Sequence, residues 1–405
     1  MTKIRILFLI LTIATVGTLG YFTSLYARGY RINFKELKFT PSGILVIKSD
    51  PDSAQVFIDG NFTNATNTTI NLAPGAYDIE IKKDGYLNWN KRIIIDKEVV
   101  TEIDANLFRN VPSLTPATFL GAKNPVLSSD STKIIFAQLA TDADSETNKA
   151  GLWLIETIPF PFGFPKDPRQ ITDGNLTDTL WQFSPDGRQI LLTTKNASYL
   201  VDSGTYTPQS QMVNIAQKKA DTILAWEKEK KQKTLARIKN LPPDLQDIMV
   251  RKGSNIVFSP DDSKILYIAS GSATIKDNLI PSLPGSSTQK QARSIEVSHT
   301  YIYDIKEDRN FLIDEGNPQP EIENDSSILK SSKRLFWFPN SKNLVLAEDG
   351  KIIIMDYDGT NRQNVYSGSY ITPFVFTFGS NQKLLILTNL GAGSSTSNLY
   401  YLSLK

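Results

Sequence analysis

One strand–turn–strand phrase recurs five times along this chain of 405 residues, and a chain that repeats itself so must build an array of like units. The clearest copy is Trp181-Gln-Phe-Ser-Pro-Asp-Gly-Arg-Gln-Ile-Leu-Leu192. Val126–Phe136 and Ile256–Tyr267 carry the same pattern, while Phe336–Leu346 and Phe376–Ile386 are shorter by a residue in the turn. Each copy has an apolar strand end, a turn of Ser, Pro, Asp, Asn or Gly, and a second apolar run. Proline presets φ at the first central position, Asp or Asn accepts from the following amides, and Gly or Asn tolerates positive φ. A further apolar segment follows each hairpin: Gly151–Ile155, Tyr199–Val201, Thr300–Asp304, Lys351–Asp356 and Leu399–Ser403. Short polar segments such as Arg169–Asp173 and Arg309–Ile313 then return, so the unit is a four-stranded sheet. Radial repetition of such sheets is a β-propeller, here of five or six blades over residues 115–405. A strand near Thr115 to Leu120 is expected to complete the first or last blade.

This region is similar to the TolB-like and WD-type propellers, in which Phe-Ser-Pro-Asp-Gly followed by Lys/Arg-x-Ile recurs blade after blade. Phe183–Gly187 and Phe258–Asp262 carry the resemblance best, and the other three copies are degenerate. Three insertions interrupt the array. Thr141–Lys149 is a short acidic-polar loop, and 271–298, rich in Ser, Gly, Pro and Gln, reads as a mobile loop. The third, 211–251, lacks strand alternation and contains helix formers with Glu227→Lys231 and Glu229→Lys233 spacings. It reads as a helix over Asn214–Lys239 and a shorter one from Asp244 after Pro242-Pro243, with Ile223, Leu224, Leu235 and Ile238 as a single apolar stripe.

Ahead of the array lies a second kind of pattern. Asp59-Gly60 after Val56 and Ile58 is a hairpin signal, Pro74-Gly75 turns the chain again, and Tyr77–Ile81 alternates with period two. Arg92–Ile95 and Val99–Ala105 add further strands, giving a small all-β sandwich over residues 42–108. Ser49-Asp-Pro51 with Ala54, Val56-Phe-Ile-Asp-Gly60, Leu72-Ala-Pro-Gly75 and Gly85-Tyr86 stand in the order and spacing of the PEGA domain, which this segment resembles. Where that family usually has Gly-x-Thr-Pro, the chain has Asn64-Ala-Thr-Asn-Thr68, which leaves the course of that loop open. The resemblance implies a spacer or wall-side module of bacterial and archaeal surface proteins, without catalytic residues.

The amino terminus, residues 1–30, reads as a membrane anchor. Ile6 to Ala27 is an uncharged run of 22 residues, which as a helix spans the roughly 30 Å hydrocarbon core. Tyr21, Phe22 and Tyr26 stand at its far end, where rings favour the membrane interface. A cleaved signal peptide is the competing reading, weakened by the length of the run and by the poor small-x-small site after it. Lys3 and Arg5 precede the run while Arg28, Arg31, Lys35 and Lys38 follow it, so charge alone does not orient the span. The modules that follow have an exported character, and the C-terminal domains are therefore expected outside the cytoplasm.

Composition narrows the chemistry further. The net charge of +2 gives no footprint for nucleic acid. With no cysteine, thiolate sites and disulfides are excluded, and a single histidine, His299, leaves no His-rich zinc site. No phosphate loop, nucleophile elbow or acid–base pair stands out, and no cofactor is expected. Asp130, Asp186 and Asp261 read as turn formers, and Trp153, Trp181 and Trp337 as packing residues between blades. Two features point outward. Phe160, Phe162 and Phe164 crowd a proline-held loop that is either an exposed patch for a partner or part of the core. Lys218–Lys239 holds eight basic and three acidic residues, so Lys228, Lys230, Lys231, Lys233 and Arg237 are candidate contacts to an anionic surface or partner. The expectation is an all-β, non-enzymatic, single-pass membrane protein of the cell surface. Its propeller would bind a protein, peptide or glycan. The alternative is a propeller enzyme, lyase or hydrolase, or a regulatory propeller for a separate catalytic chain.

Overall fold

The computed structural model describes residues 2–27, 30–33, 38–138, 150–158, 167–281, 289–318, 333–379, 383–390 and 396–405. They divide into two compact units, one reaching to Leu107 and including 289–290, the other Phe108–Pro281 with Gln291–Lys405. The first unit begins with helix α1 (Thr2–Ala27), whose span Ile4–Ala27 is long and apolar enough to cross a membrane. From Ile4 to Ala27 its side chains are exposed, apart from the half-buried Leu25, and Thr12, Thr15, Thr18 and Thr23 each donate to the carbonyl four residues back, so their hydroxyls need no water.

The rest of the first unit is a β-sandwich. In one sheet Gly43–Asp50 pairs antiparallel with Thr68–Leu72 and parallel with Val100–Asn106. The other runs in the order Asn61–Ala65, Gln55–Ile58, Gly75–Lys82, Trp89–Ile95, all antiparallel. Alternation sends Leu45, Ile47, Ile103 and Ala105 inward from the first sheet and Val56, Ile58, Ile79, Ile81, Trp89, Ile93 and Ile95 from the second. Asp59 and Gly60 both have positive φ, 48° and 78°, as the tight turn between Gln55–Ile58 and Asn61–Ala65 demands. The loop left open by the sequence is closed by polar contacts. The buried Thr66 hydroxyl lies 2.6 Å from the Ser49 hydroxyl and accepts from the Ala54 amide at 2.9 Å, and Asn67 accepts from the Ser49 amide.

The second unit is the propeller, with five blade sheets among the described residues, all antiparallel. Blade 1 comprises Lys123–Leu127, Lys133–Gln138, Gly151–Glu156 and Arg169–Asp173. Blade 2 comprises Leu180–Phe183, Gln189–Thr193 and Ser198–Asp202, with a single bridge from Tyr199 to Asn214 in place of a fourth strand. Blade 3 comprises Gly253–Phe258, Lys264–Ala269, Thr300–Asp304 and Arg309–Asp314, and blade 4 Arg334–Trp337, Asn343–Glu348, Lys351–Asp356 and Gln363–Ser367. Blade 5 comprises Val375–Phe378, Lys383–Thr388 and Asn398–Ser403, and its outer strand is Ser113–Pro116, from the other end of the unit. The strand expected near Thr115 to Leu120 to complete a blade lies slightly earlier, at Ser113–Pro116, and pairs with Asn398–Ser403. Apolar layers fill the spaces between sheets: Ile135, Leu152 and Leu154 meet Trp181, Ile190 and Leu192; Leu266, Ile302 and Phe311 meet Leu335, Trp337 and Leu344; Phe376, Leu385 and Leu399 meet Ile134, Phe136 and Ile155.

The first strands of the sheets are the inner ones, because they bond to one another across blades. The Trp181 indole N–H donates to the Asn124 carbonyl at 3.0 Å, and the Trp337 N–H to the Val257 carbonyl at 3.2 Å. The Phe-Ser-Pro-Asp turns lie at the finishing ends of these strands. In blades 1 to 3 a buried serine donates to the aspartate two residues on, Ser128 to Asp130, Ser184 to Asp186 and Ser259 to Asp261, at 2.6–2.7 Å. The same Asp oxygen accepts the amide two residues later, and the serine hydroxyl accepts the amide of the returning strand. The residue after each Asp, and Ser341 after Asn340 in blade 4, has φ between 56° and 68°.

The helical insertion differs from its expected form. After a 3₁₀ turn at Ala216–Lys218, helix α2 (Lys219–Ile238) and helix α3 (Pro243–Lys252) follow. Only Ile238 of α2 is buried, and Leu224 is 65% exposed, so the four-residue stripe does not form one packed face. The apolar contact comes from Leu235 and Ile238 with Leu241, Leu245 and Met249, which cover Phe258, Ile265 and Tyr267 of blade 3. Of the segment 271–298, residues 282–288 lie outside the described residues, and the described flanks depart from a bare loop. Ala273–Thr274 pairs with Ser294–Ile295, and Ile275 and Ile295 are buried against the same cluster. Arg293 and Asp308 anchor it: the guanidinium bonds both the carboxylate and the carbonyl of Asp308, whose other oxygen accepts the Leu279 amide at 3.0 Å.

Candidate functional site

Among the described residues, the charged arm of α2 and one end of the propeller's inner strands present exposed side chains that could meet a partner. Phe160, Phe162 and Phe164 lie outside the described residues. On α2, Lys228, Lys230, Lys231, Lys233 and Arg237 are all exposed. They are not equivalent. Lys233 pairs with Glu229 at 2.8 Å, and Arg237 reaches Asp262 at 3.5 Å with its guanidinium over the Phe258 ring, so Arg237 also fastens the helix to blade 3. The helix has Asp221 in its first turn and Arg237 in its last, favourable to the helix dipole at both ends.

The mouth is formed by the starting ends of the inner strands, opposite the Ser-x-Asp turns. Lys123, Leu180, Gly253, Arg334 and Val375 stand at those starts. Lys123 is exposed, and Leu180 is exposed to 40%. Arg334 is half-buried between blades 4 and 5. Its guanidinium lies over the rings of Phe336 and Phe376, with 4.8 and 5.1 Å to the two centroids, and donates to the Val375 carbonyl at 3.0 Å. Burial pushes it down to about 10, still charged at neutral pH, and among the described residues no carboxylate pairs with it. Sequence reading passed over Arg334. The signal was a cation opening an otherwise apolar inner strand, Arg334-Leu-Phe-Trp337, but its neighbour Phe376 belongs to another sheet.

The same end of blade 5 carries large apolar side chains. Residues 117–122 wrap the start of Asn398–Ser403 through bonds from the Ala117 and Ala122 amides to the Leu399 and Ser397 carbonyls. This leaves Phe119 77% and Leu120 55% exposed, with Ile371 and Leu390 at 40% and 50%. The Ile371 amide bonds the Leu387 carbonyl, which places it beside the same strand end.

Candidate chemistry elsewhere resolves into structure. The aspartates of the repeat are turn acceptors. At Asp261 burial opposes ionisation, but bonds from the Ser259 and Ser263 hydroxyls and the Ser263 amide, with the charge of Lys264, hold the carboxyl well below the usual carboxylate range. Asp130 is lowered against its burial by Ser128, Thr132 and Lys133, and Asp186 mainly by the Ser184 hydroxyl. His299 is half-buried beside Glu296 and the Tyr301 ring. Among the described residues, no three His, Asp or Glu side chains gather to hold a metal ion.

Comparison with known proteins adds one domain assignment: residues 42–110 match the PEGA domain family. No curated protein matches the chain. Among solved structures, TolB from Acinetobacter baumannii is similar at 13% identity over 81% of this chain, with a TM-score of 0.21, and the chain spans 60% of its length. A putative TolB from Agrobacterium tumefaciens is similar at 11% identity, covering 90% of this chain and 98% of that one, with a TM-score of 0.18. The acylaminoacyl peptidase of Pyrococcus horikoshii is similar at 11% identity over 71% of this chain but only 39% of its own length, with a TM-score of 0.20. Superposition this loose carries no weight, so the propeller assignment rests on the strand order and the closing strand described above.

Proposed function

We propose that this chain is a non-enzymatic, membrane-anchored binding or scaffold protein of the cell surface, whose propeller presents a binding face to a protein or peptide. The observation that carries the reading is the pairing of α1, long and apolar enough to cross a membrane, with a PEGA domain after it. A helix of this length and composition matches the hydrocarbon core of a bilayer. The propeller adds an array of sheets at one end of which a cation and exposed apolar side chains stand, the composition of a recognition surface.

A signal sequence passes the same test of length and composition, and the two fates separate experimentally. The native chain is expected to stay with membranes through a carbonate wash and to yield the peptide containing Leu7–Ala27 by mass spectrometry. A chain recovered in the soluble fraction without that peptide contradicts the anchor.

A further inference from the structure

The inner mouth holds a feature that packing alone does not require. A guanidinium has five N–H donors in a planar fork, and the Val375 carbonyl takes one of those on Arg334. Two phenyl faces hold the plane of the group, which favours a planar partner over diffuse hydration. Stacking fixes the fork before anything binds, so little further order is lost when a bidentate acceptor arrives. Lys123, exposed at the start of the inner strand of blade 1, adds a second positive charge at this end of the propeller. Glu348, at the same end of blade 4, is already occupied by Lys333 and Lys351 at 3.1 and 2.8 Å.

We propose that this end of the propeller is a carboxylate-binding site, in which Arg334 receives the carboxylate of a peptide whose apolar residues lie along the exposed apolar side chains at the same end of blade 5. A peptide is favoured over an acidic sugar because the exposed side chains at this end of blade 5 include Phe119, Leu120, Ile371 and Leu390. A carboxylate alone could be a chain terminus or an Asp or Glu side chain, and the geometry at Arg334 suits both. The proposal rests on the binding-protein reading and names the ligand chemistry of its mouth.

The test uses the full chain in detergent micelles and three short probes: N-acetyl-Leu-Phe as the free acid, the same dipeptide as the C-terminal amide, and N-acetyl-Leu-Asp-Phe-amide. Calorimetry and the arginine Nε–H resonance of Arg334 report binding. The expected result is saturable binding of at least one carboxylate probe, at least tenfold tighter than the amide, with the Arg334 resonance shifting on titration. Which acid binds tells terminus from side chain. Arg334→Gln is expected to abolish the preference. Should that variant misfold, Arg334→Lys keeps the charge without the fork and is expected to weaken the preference several-fold. Equal binding of acid and amide, or no binding of any probe at millimolar concentration, overturns the proposal and leaves Arg334 as a clamp between two blades. Location on the cell is measured separately, so either idea fails without the other.

Discussion

A serine, an aspartate and a residue with positive φ form the smallest unit of this architecture. Ser259 and Asp261 lock their hairpin by accepting the amides that a tight turn leaves unpaired, and the arrangement repeats at Ser128–Asp130 and Ser184–Asp186. Gly187 fills the positive-φ position in blade 2, while Ser131, Asp262 and Ser341 accept the strain elsewhere. The carboxyl of Asp261 is held down in the folded chain, so its contribution is present above the unfolded value of about 3.9 and lost as pH falls through the lower folded one. Asp261→Asn keeps the acceptor but removes the titration. Chemical denaturation at pH 7 and pH 3 is expected to show a smaller loss of stability on acidification in the variant than in the parent; the difference is small, since the side chain is 44% exposed. An identical pH dependence in both contradicts the assignment. These roles were legible in the sequence because Ser-Pro-Asp-Gly chemistry is local. Phe338, in the serine's place in blade 4, was legible only as a deviation; its purpose, edge-on packing against Phe108 at 6.0 Å, joins residues 230 positions apart.

Elements show where local reading stops. The helical insertion was visible in its lack of alternation, in the Pro242-Pro243 break and in the charge spacing of Glu229 and Lys233. Which of its apolar residues pack was not visible, because α2 meets blade 3 only near its C-terminal turn and α3 supplies the rest. Leu245→Ala is therefore expected to cost about 2–5 kcal/mol, as a buried leucine does, while Leu224→Ala stays within about 0.5 kcal/mol. Equal effects in urea titration would show that the N-terminal half of α2 is packed after all. The segment 271–298 reads as a mobile loop because two-residue strands are too short to alternate and Ser, Gly and Pro dominate it. Residues 282–288 lie outside the described residues; its two flanks are held instead by the largely buried Arg293–Asp308 pair and by the Tyr303 hydroxyl donating to Asp308. Asn310 extends the network, accepting from the Tyr267 hydroxyl and donating to the Ala292 carbonyl. Such a network is built from residues on three separate segments, and a linear pattern cannot display it.

The whole molecule joins an apolar helix, a PEGA sandwich and a five-sheet propeller closed by Ser113–Pro116 against Asn398–Ser403. Architecture on this scale was read from repetition, because five copies of one hairpin leave few alternatives. The mouth was not, since Arg334, Phe336 and Phe376 become neighbours only when two sheets stand side by side. Display of the propeller outside the cytoplasm is the claim on which the functional account turns, and the sequence offers a clean probe of it. The chain has no cysteine, so Lys230→Cys and Arg5→Cys each introduce a single thiol, one on the exposed face of α2 and one before the apolar span. Intact cells treated with a membrane-impermeant maleimide are expected to label Lys230→Cys fully and Arg5→Cys only after lysis. Labelling of Arg5→Cys on intact cells, with Lys230→Cys protected until lysis, would place the propeller in the cytoplasm and contradict the account.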